Sequence, residues 1–280
     1  MPLPDGLRLG AVRLQVADLG RSVGYYERVI GLRTVARSAG RASLAAQGDD
    51  TPLVELHERP GAAPVPRRGR LGLYHFAILL PDRAALGRFV RHLADHDIRA
   101  GMSDHLVSEA VYLTDPDGLG IEVYADRARG EWPRAGGALV MAVDPLNVES
   151  LLRAAGNEPW TGAPAGTVIG HLHLHVGDLA EADAFYHVAL GFEPTATIPG
   201  ALFLSAGGYH HHLGTNTWAA GAPPAGDADA RLLEWEIILP DRNDVDELLT
   251  RLEAAGVEAT RDGGAVIARD PWGTAVRVSS

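Results

Sequence analysis

The chain of 280 residues contains 12 histidines and no cysteine. Without thiols there can be no disulfide, no thiolate metal site and no cysteine nucleophile. Imidazole and carboxylate groups are then the side chains left for metal ligation and proton transfer. Two short segments concentrate the histidines. In His-Leu-His-Leu-His, the period of two along a strand puts His171, His173 and His175 on one face. In Gly-Gly-Tyr-His-His-His-Leu-Gly (207–214), the same period puts His210 and His212 on one face and His211 on the other. His173 and His175 could carry protons or donate to a substrate, although a lone strand histidine is more often a hydrogen-bonded core residue. No Gly-x-Ser-x-Gly elbow supports serine hydrolysis. The pairs Gly136-Gly137, Gly207-Gly208 and Gly263-Gly264 lack the spacing and helix context of a phosphate loop.

The elements that must position these residues repeat. The stretch 11–32, AVRLQVADLGRSVGYYERVIGL, returns as 171–192, HLHLHVGDLAEADAFYHVALGF, at a constant offset of 160 residues. Asp18 then matches Asp178, Tyr26 matches Tyr186 and Gly31 matches Gly191. A second pair is 77–98 against 236–257, and a third is DPDGLGIEVY (115–124) against DPWGTAVRVS (270–279). Three ordered matches mean a duplicated domain. Each half is itself doubled: Asp18 and Asp82 both close a short alternating strand and precede an amphipathic helix. Short strands bounded by Gly, Pro and Asp follow each helix. The predicted unit is βαβββ, present four times in an α+β chain. Its helices cover one sheet face and the other face curls into a cup. Residues 1–125 are expected to form the first module pair and 166–280 the second. Residues 126–165 read as a structural linker with one short helix near 145–155.

Charge and composition exclude other classes. A formal charge of −11 argues against a nucleic-acid groove, which needs clustered Lys and Arg. No apolar run reaches the roughly 18 residues of a membrane span, and MPLPDGLRLG lacks a signal peptide's apolar core, so a soluble, cytoplasmic protein is expected. The 33 glycines suit many tight turns. Trp160, Trp218 and Trp272 are expected to pack, and the basic run 66–70 to form a solvated loop.

This pattern resembles the vicinal oxygen chelate superfamily, which includes glyoxalase I, bleomycin and fosfomycin resistance proteins and extradiol ring-cleaving dioxygenases. It is most similar to the two-domain catechol 2,3-dioxygenase branch. The most specific likeness lies in 105–122, where His105, Val111, Tyr112, Asp115, Pro116, Gly118 and Glu122 match the extradiol signature. One position departs, Ser103. The resemblance implies cups built from paired modules, with metal ligands on their first and last strands. It makes His75 and Glu122 metal ligands, His105 the histidine that handles protons and oxygen, and Tyr112 the tyrosine beside the substrate. The remaining ligand would fall at Ala11, which cannot bind a metal. Glu55 is a candidate to compensate.

In the second half His171 holds the first-strand ligand position and Glu234 stands where His75 stood. Arg277 replaces Glu122 and cannot ligate a cation. His171, His212 or His210, and Glu234 would then form a two-His-one-carboxylate set, with His173 as a catalytic proton carrier. The resemblance implies a divalent metal, Fe(II) foremost, with Mn(II), Ni(II) and Zn(II) as alternatives. The substrate would be a catechol or related vicinal dioxygen compound. The alternatives are a glyoxalase-like lyase or isomerase, or a metal-free binding protein. No nucleic-acid or membrane partner is expected, and homo-oligomerisation stays open.

Overall fold

A computed structural model describes residues 2–66 and 68–280. The first module supplies strands β1 (Arg8–Val16), β2 (Arg33–Ser38), β3 (Arg41–Ala45) and β4 (Val54–Glu58). The second supplies β5 (Gly72–Leu79), β6 (Gly101–Asp104), β7 (Ser108–Thr114) and β8 (Gly120–Asp126). A two-strand hairpin, β9 (Arg134–Ala135) and β10 (Ala138–Leu139), lies in the connection between the halves. The third module holds β11 (Val168–His175), β12 (Glu193–Ile198), β13 (Ala201–Ser205) and β14 (Leu213–Asn216). The fourth holds β15 (Arg231–Ile238), β16 (Ala259–Asp262), β17 (Ala265–Arg269) and β18 (Ala275–Ser279).

Each module's first strand leads into a helix: α1 (Leu19–Tyr25) and α2 (Arg83–Asp95) in the first half. The connection carries α3 (Val148–Ala154), and the second half has α4 (Leu179–Ala182) and α5 (Arg242–Ala254). The repeated aspartate is the reason these helices start where they do. Asp18, Asp82, Asp178 and Asp241 are N-caps, their carboxylates accepting from the backbone N–H of Arg21, Ala85, Ala180 and Asn243 at 2.7–2.8 Å. Such caps contribute about 1 kcal/mol each.

The repeated Asp-Pro-x-Gly turns are also structural. Asp115 accepts from the N–H groups of Asp117 and Leu119, and Asp270 from those of Trp272 and Thr274. Gly118 sits at φ +87°, where a β-carbon would be strained. The Tyr26 hydroxyl reaches Asp115 at 3.3 Å and the Tyr186 hydroxyl reaches Asp270 at 2.8 Å. Each tyrosine sits in the π-helical segment that continues α1 or α4 (Tyr26–Ile30 and Asp183–Ala189), and ties it to the last turn of the next module within the same half.

The sheets do the opposite. Two eight-stranded sheets form, in the orders β16-β17-β18-β15-β1-β4-β3-β2 and β12-β13-β14-β11-β5-β8-β7-β6. The first module therefore shares a sheet with the fourth, and the second with the third. The expected module pairs 1–125 and 166–280 thus meet crosswise, each cup taking one module from either range. The first strand of a module pairs internally on one edge only, as β1 does with β4. Its other edge needs a partner from a second module, and β1 takes β15 while β5 takes β11, both antiparallel. Hydrophobic alternation specifies which face of each strand is buried, but not which of three homologous edges it meets. One apolar core runs through both sheets, with the Tyr26 ring 6.4 Å from Phe76 and the Tyr186 ring 6.4 Å from Trp235.

Candidate metal centre

The pairing of β5 with β11 brings together residues that lie far apart in sequence. Across three adjacent strands, His171 on β11 stands opposite Ala77 on β5, and Ala77 pairs with Glu122 on β8. Ala77 is too small to separate its flanking side chains, so His171 and Glu122 converge above it. His75, two residues along β5, joins them from the same face. His75 Nε2 lies 3.0 Å and His171 Nε2 3.2 Å from Glu122 Oε2. The three residues are 5% exposed or less, so bulk water contributes little to their solvation.

Ligand atoms of His75, Glu122 and His171 all fall within 4.8 Å of one another. His75 Nε2, though close to the carboxylate, makes no hydrogen bond, and His171 Nδ1 is buried without a partner. Orphaned buried nitrogens of this kind are costly unless a further group satisfies them. Burial draws the His75 pKa down against the pull of Glu122. Burial pushes Glu122 up, but the His171 and His75 imidazoles outweigh it and hold the carboxyl well below its usual range. The uncharged His75 imidazole beside an ionised carboxylate, with a second buried imidazole at hand, is a donor set that fits a divalent cation.

His105 and Tyr112 stand beside this cluster. His105 Nδ1 lies 2.7 Å from the carbonyl of Ala142, and Nε2 lies 2.6 Å from the Tyr112 hydroxyl. A carbonyl only accepts, so Nδ1 carries the proton and Tyr112 donates to Nε2. Burial raises the Tyr112 pKa well above its ordinary value, with Glu122 adding to it, so the hydroxyl keeps its proton. Ala142 belongs to the connection read from sequence as a purely structural linker. It fixes the tautomer of a site histidine, and no backbone carbonyl can be singled out from a sequence.

His173 faces His75 across the β5–β11 ladder, ring centroids 5.1 Å apart, and its Nε2 has no partner. Burial pulls its pKa well below the usual value, so it is an uncharged group. Next to it the register slips, and Tyr74 is an extra residue on β5. Bulges re-aim side chains, and the Tyr74 ring sits against His173, His175 and Trp218 at 4.7–5.5 Å. Trp218, read from sequence as packing, is thus part of an aromatic wall. Tyr74 carried no sequence signal, because the bulge arises only on pairing with β11.

The other sequence candidates have different partners. His212 Nδ1 meets the Ser205 hydroxyl and the Ala206 N–H, and burial pulls its pKa down to about 3. His210 is held by Asp126 and His211, both at 2.9 Å. Glu55 and Glu234 lie in the other sheet's cup, where arginines take them. Arg13 bonds both carboxylates, at 2.8 Å to Glu55, and Arg277 reaches Glu234 at 2.7 Å. A set of His171, His212 or His210, and Glu234 is not brought together, because Glu234 belongs to the sheet that His171 does not enter. Glu55 is likewise not brought to His75 and Glu122, and His171 is the residue that stands beside them. In the basic run 66–70, Arg70 pairs with Asp229 instead of being merely solvated, and Arg67 lies outside the described residues.

Comparison with known proteins agrees with this architecture. The family model of the Glyoxalase/Bleomycin resistance protein/Dioxygenase superfamily matches residues 8–123 and 168–278. The chain belongs to this superfamily. Among curated glyoxalase/dioxygenase relatives, it is 44% identical over 271 residues to a catechol-2,3-dioxygenase of Bacillus subtilis (strain 168), covering 95% of each chain. A solved candidate dioxygenase from Bacillus subtilis strain 168 superimposes with TM-score 0.68 at 15% identity, over 99% of this chain and 86% of that one. Glyoxalase I from Zea mays superimposes with TM-score 0.57 at 18% identity, over 98% and 92%. At these identities the structures share the superfamily's fold.

Proposed function

We propose that the chain is a metal-dependent extradiol dioxygenase that cleaves the ring of a catechol or a related vicinal dioxygen compound. The observation that carries this reading is the convergence of His75, Glu122 and His171 beside the His105–Tyr112 pair. The 44% identity to a catechol-2,3-dioxygenase over nearly the whole chain supports the same reaction class.

His75, Glu122 and His171 would hold the ion, Fe(II) being the first expectation. A divalent ion held there would supply Lewis acidity to the diol. The protein's own residues supply the rest. His105 Nε2, with Nδ1 committed to Ala142, is a base that accepts a proton when Tyr112 turns its hydroxyl toward the substrate. Tyr112 remains a donor at neutral pH. His173, uncharged and unpartnered at Nε2, offers a second polar contact to the diol or to the oxygen brought alongside it. Tyr74 and Trp218 present ring faces and edges for an aromatic substrate. The deep burial of the three ligand side chains keeps bulk water away from reactive species.

The test is oxygen consumption with catechol by protein purified anaerobically and loaded with Fe(II). Ring opening with one dioxygen consumed per catechol is the expected result. No oxygen uptake, with anaerobic isomerisation of a hemithioacetal in its place, would overturn the reading in favour of a glyoxalase-like enzyme. Saturable binding of small molecules without turnover would leave a binding protein.

A further inference from the structure

The cup formed by the first and fourth modules is not an empty copy of the metal centre. Register equates Arg13 and Glu234 with His173 and His75, since both pairs face each other across the antiparallel first strands. The internal repeat equates Ala11 with His171 and Arg277 with Glu122. The carboxylate position therefore carries a guanidinium and one imidazole position carries a carboxylate. Glu234 is bonded by both Arg13 and Arg277, and Arg277 also bonds Asp262 at 2.6 Å. Fixed cations fill the place a metal would take.

A cavity of about 330 Å³ opens here. Five arginines line it (Arg13, Arg70, Arg231, Arg269 and Arg277), against a single lining carboxylate, Glu234. Carboxylates just outside the lining, Glu55, Asp229, Asp227 and Asp262, pair with Arg13, Arg70, Arg231 and Arg277, which leaves Arg269 as the lining cation without a carboxylate among the described residues. Not all of the donors are used. Arg269 meets the Gly273 carbonyl at 2.9 Å and no carboxylate among the described residues. Arg231 bonds Asp227 at 2.5 Å and the Ala225 carbonyl at 3.4 Å, and only its buried Nε has no hydrogen-bond partner. The rest of the lining mixes Leu73, Leu119, Leu232 and Trp272 with the polar His57 and Thr274.

We propose that this second cup binds a small organic carboxylate with an apolar, unsaturated body, its charge received by Arg269 and its body by Trp272 and the leucines. Guanidinium forks match a carboxylate's planar geometry. The leucines and Trp272 favour such an anion over inorganic phosphate, which has no body to bury. The volume suits a ligand of roughly benzoate size or somewhat larger. This site is independent of metal chemistry and does not rest on the dioxygenase reading.

The experiment is isothermal titration of the full chain with benzoate, with benzyl alcohol and inorganic phosphate as contrasts. Two variants accompany it. Arg269→Glu reverses an exposed charge that holds no ion pair, and Glu122→Gln disables the metal centre. The expected result is saturable one-to-one benzoate binding with Kd between about 10 µM and 1 mM. It should persist in Glu122→Gln, weaken roughly tenfold or more in Arg269→Glu, and be absent with benzyl alcohol. Four results would overturn the proposal: no saturable binding, equal binding in Arg269→Glu, loss of binding in Glu122→Gln, or phosphate binding as tightly as benzoate. Loss in Glu122→Gln would place benzoate at the metal centre, and oxygen uptake with catechol bears on the other reading alone.

Discussion

His171 Nε2 lies 3.2 Å from Glu122 Oε2, although the two residues stand on strands from different halves of the duplicated chain. The candidate metal centre is therefore a joint product of the second and third modules. Its integrity depends on the β5–β11 ladder. The homologue of Ala11 in the other half, His171, is the residue that stands with His75 and Glu122 in this candidate cluster.

Removing the proton-handling pair should separate chemistry from metal binding. In His105→Phe and Tyr112→Phe, metal content should match the parent protein while kcat falls by about 10²–10⁴-fold. Steady-state kinetics alongside elemental analysis checks this. Loss of metal in either variant would make the pair a support for the ligands.

His212→Ala should cost stability and leave metal content unchanged. The Ser205 hydroxyl and Ala206 N–H lose their shared acceptor in a buried site, at about 1–3 kcal/mol. Urea unfolding gives the first quantity and elemental analysis the second.

These contrasts show what the sequence made legible. The α+β class, the fourfold module and the helix-capping aspartates are written in repeats and periodicity, which act locally. His75, Glu122 and His171 each stood out singly, as did His105 and Tyr112. Their combination did not, because edge pairing between homologous modules is a tertiary choice that alternation leaves undetermined. For the same reason Glu55 and Glu234 looked free to bind metal until Arg13 and Arg277 were seen to claim them. Tyr74 and the Ala142 carbonyl depend on a bulge and a backbone position, which leave no trace in residue type.

Glu55 should make the fold sensitive to acid. His57, and then Arg13 against the upward push of burial, hold its pKa down from 4.5 to about 2. A carboxylate depressed in this way contributes stability that is fully present above about pH 4.5 and lost as pH falls toward 2. The difference in unfolding free energy between the parent and Glu55→Gln should thus be about 1–3 kcal/mol at neutral pH and shrink across that window. Urea unfolding at a series of pH values measures it. A difference that does not change with pH would mean the ion pairs are not what lowers the carboxyl.

Gly170 marks the other register slip of the β5–β11 ladder, as the extra residue on β11. A β-carbon there would lie 1.8 Å from the Tyr124 hydroxyl, which bonds Tyr209 at 2.7 Å. Gly170→Ala should destabilise the chain by about 1–3 kcal/mol and displace the adjacent His171. A lowered Tm together with weakened metal retention is the expected pair of results.

Metal content per chain, by elemental mass spectrometry after anaerobic purification without chelator, is the most direct test of a centre shared between the halves. The parent protein and Glu234→Gln should each carry close to one equivalent, with iron foremost. His171→Ala should lose metal affinity by more than the roughly 10–100-fold that removing a supporting residue costs. Full metal in His171→Ala, or loss of metal in Glu234→Gln, would contradict the joint centre and return the ligands to separate cups.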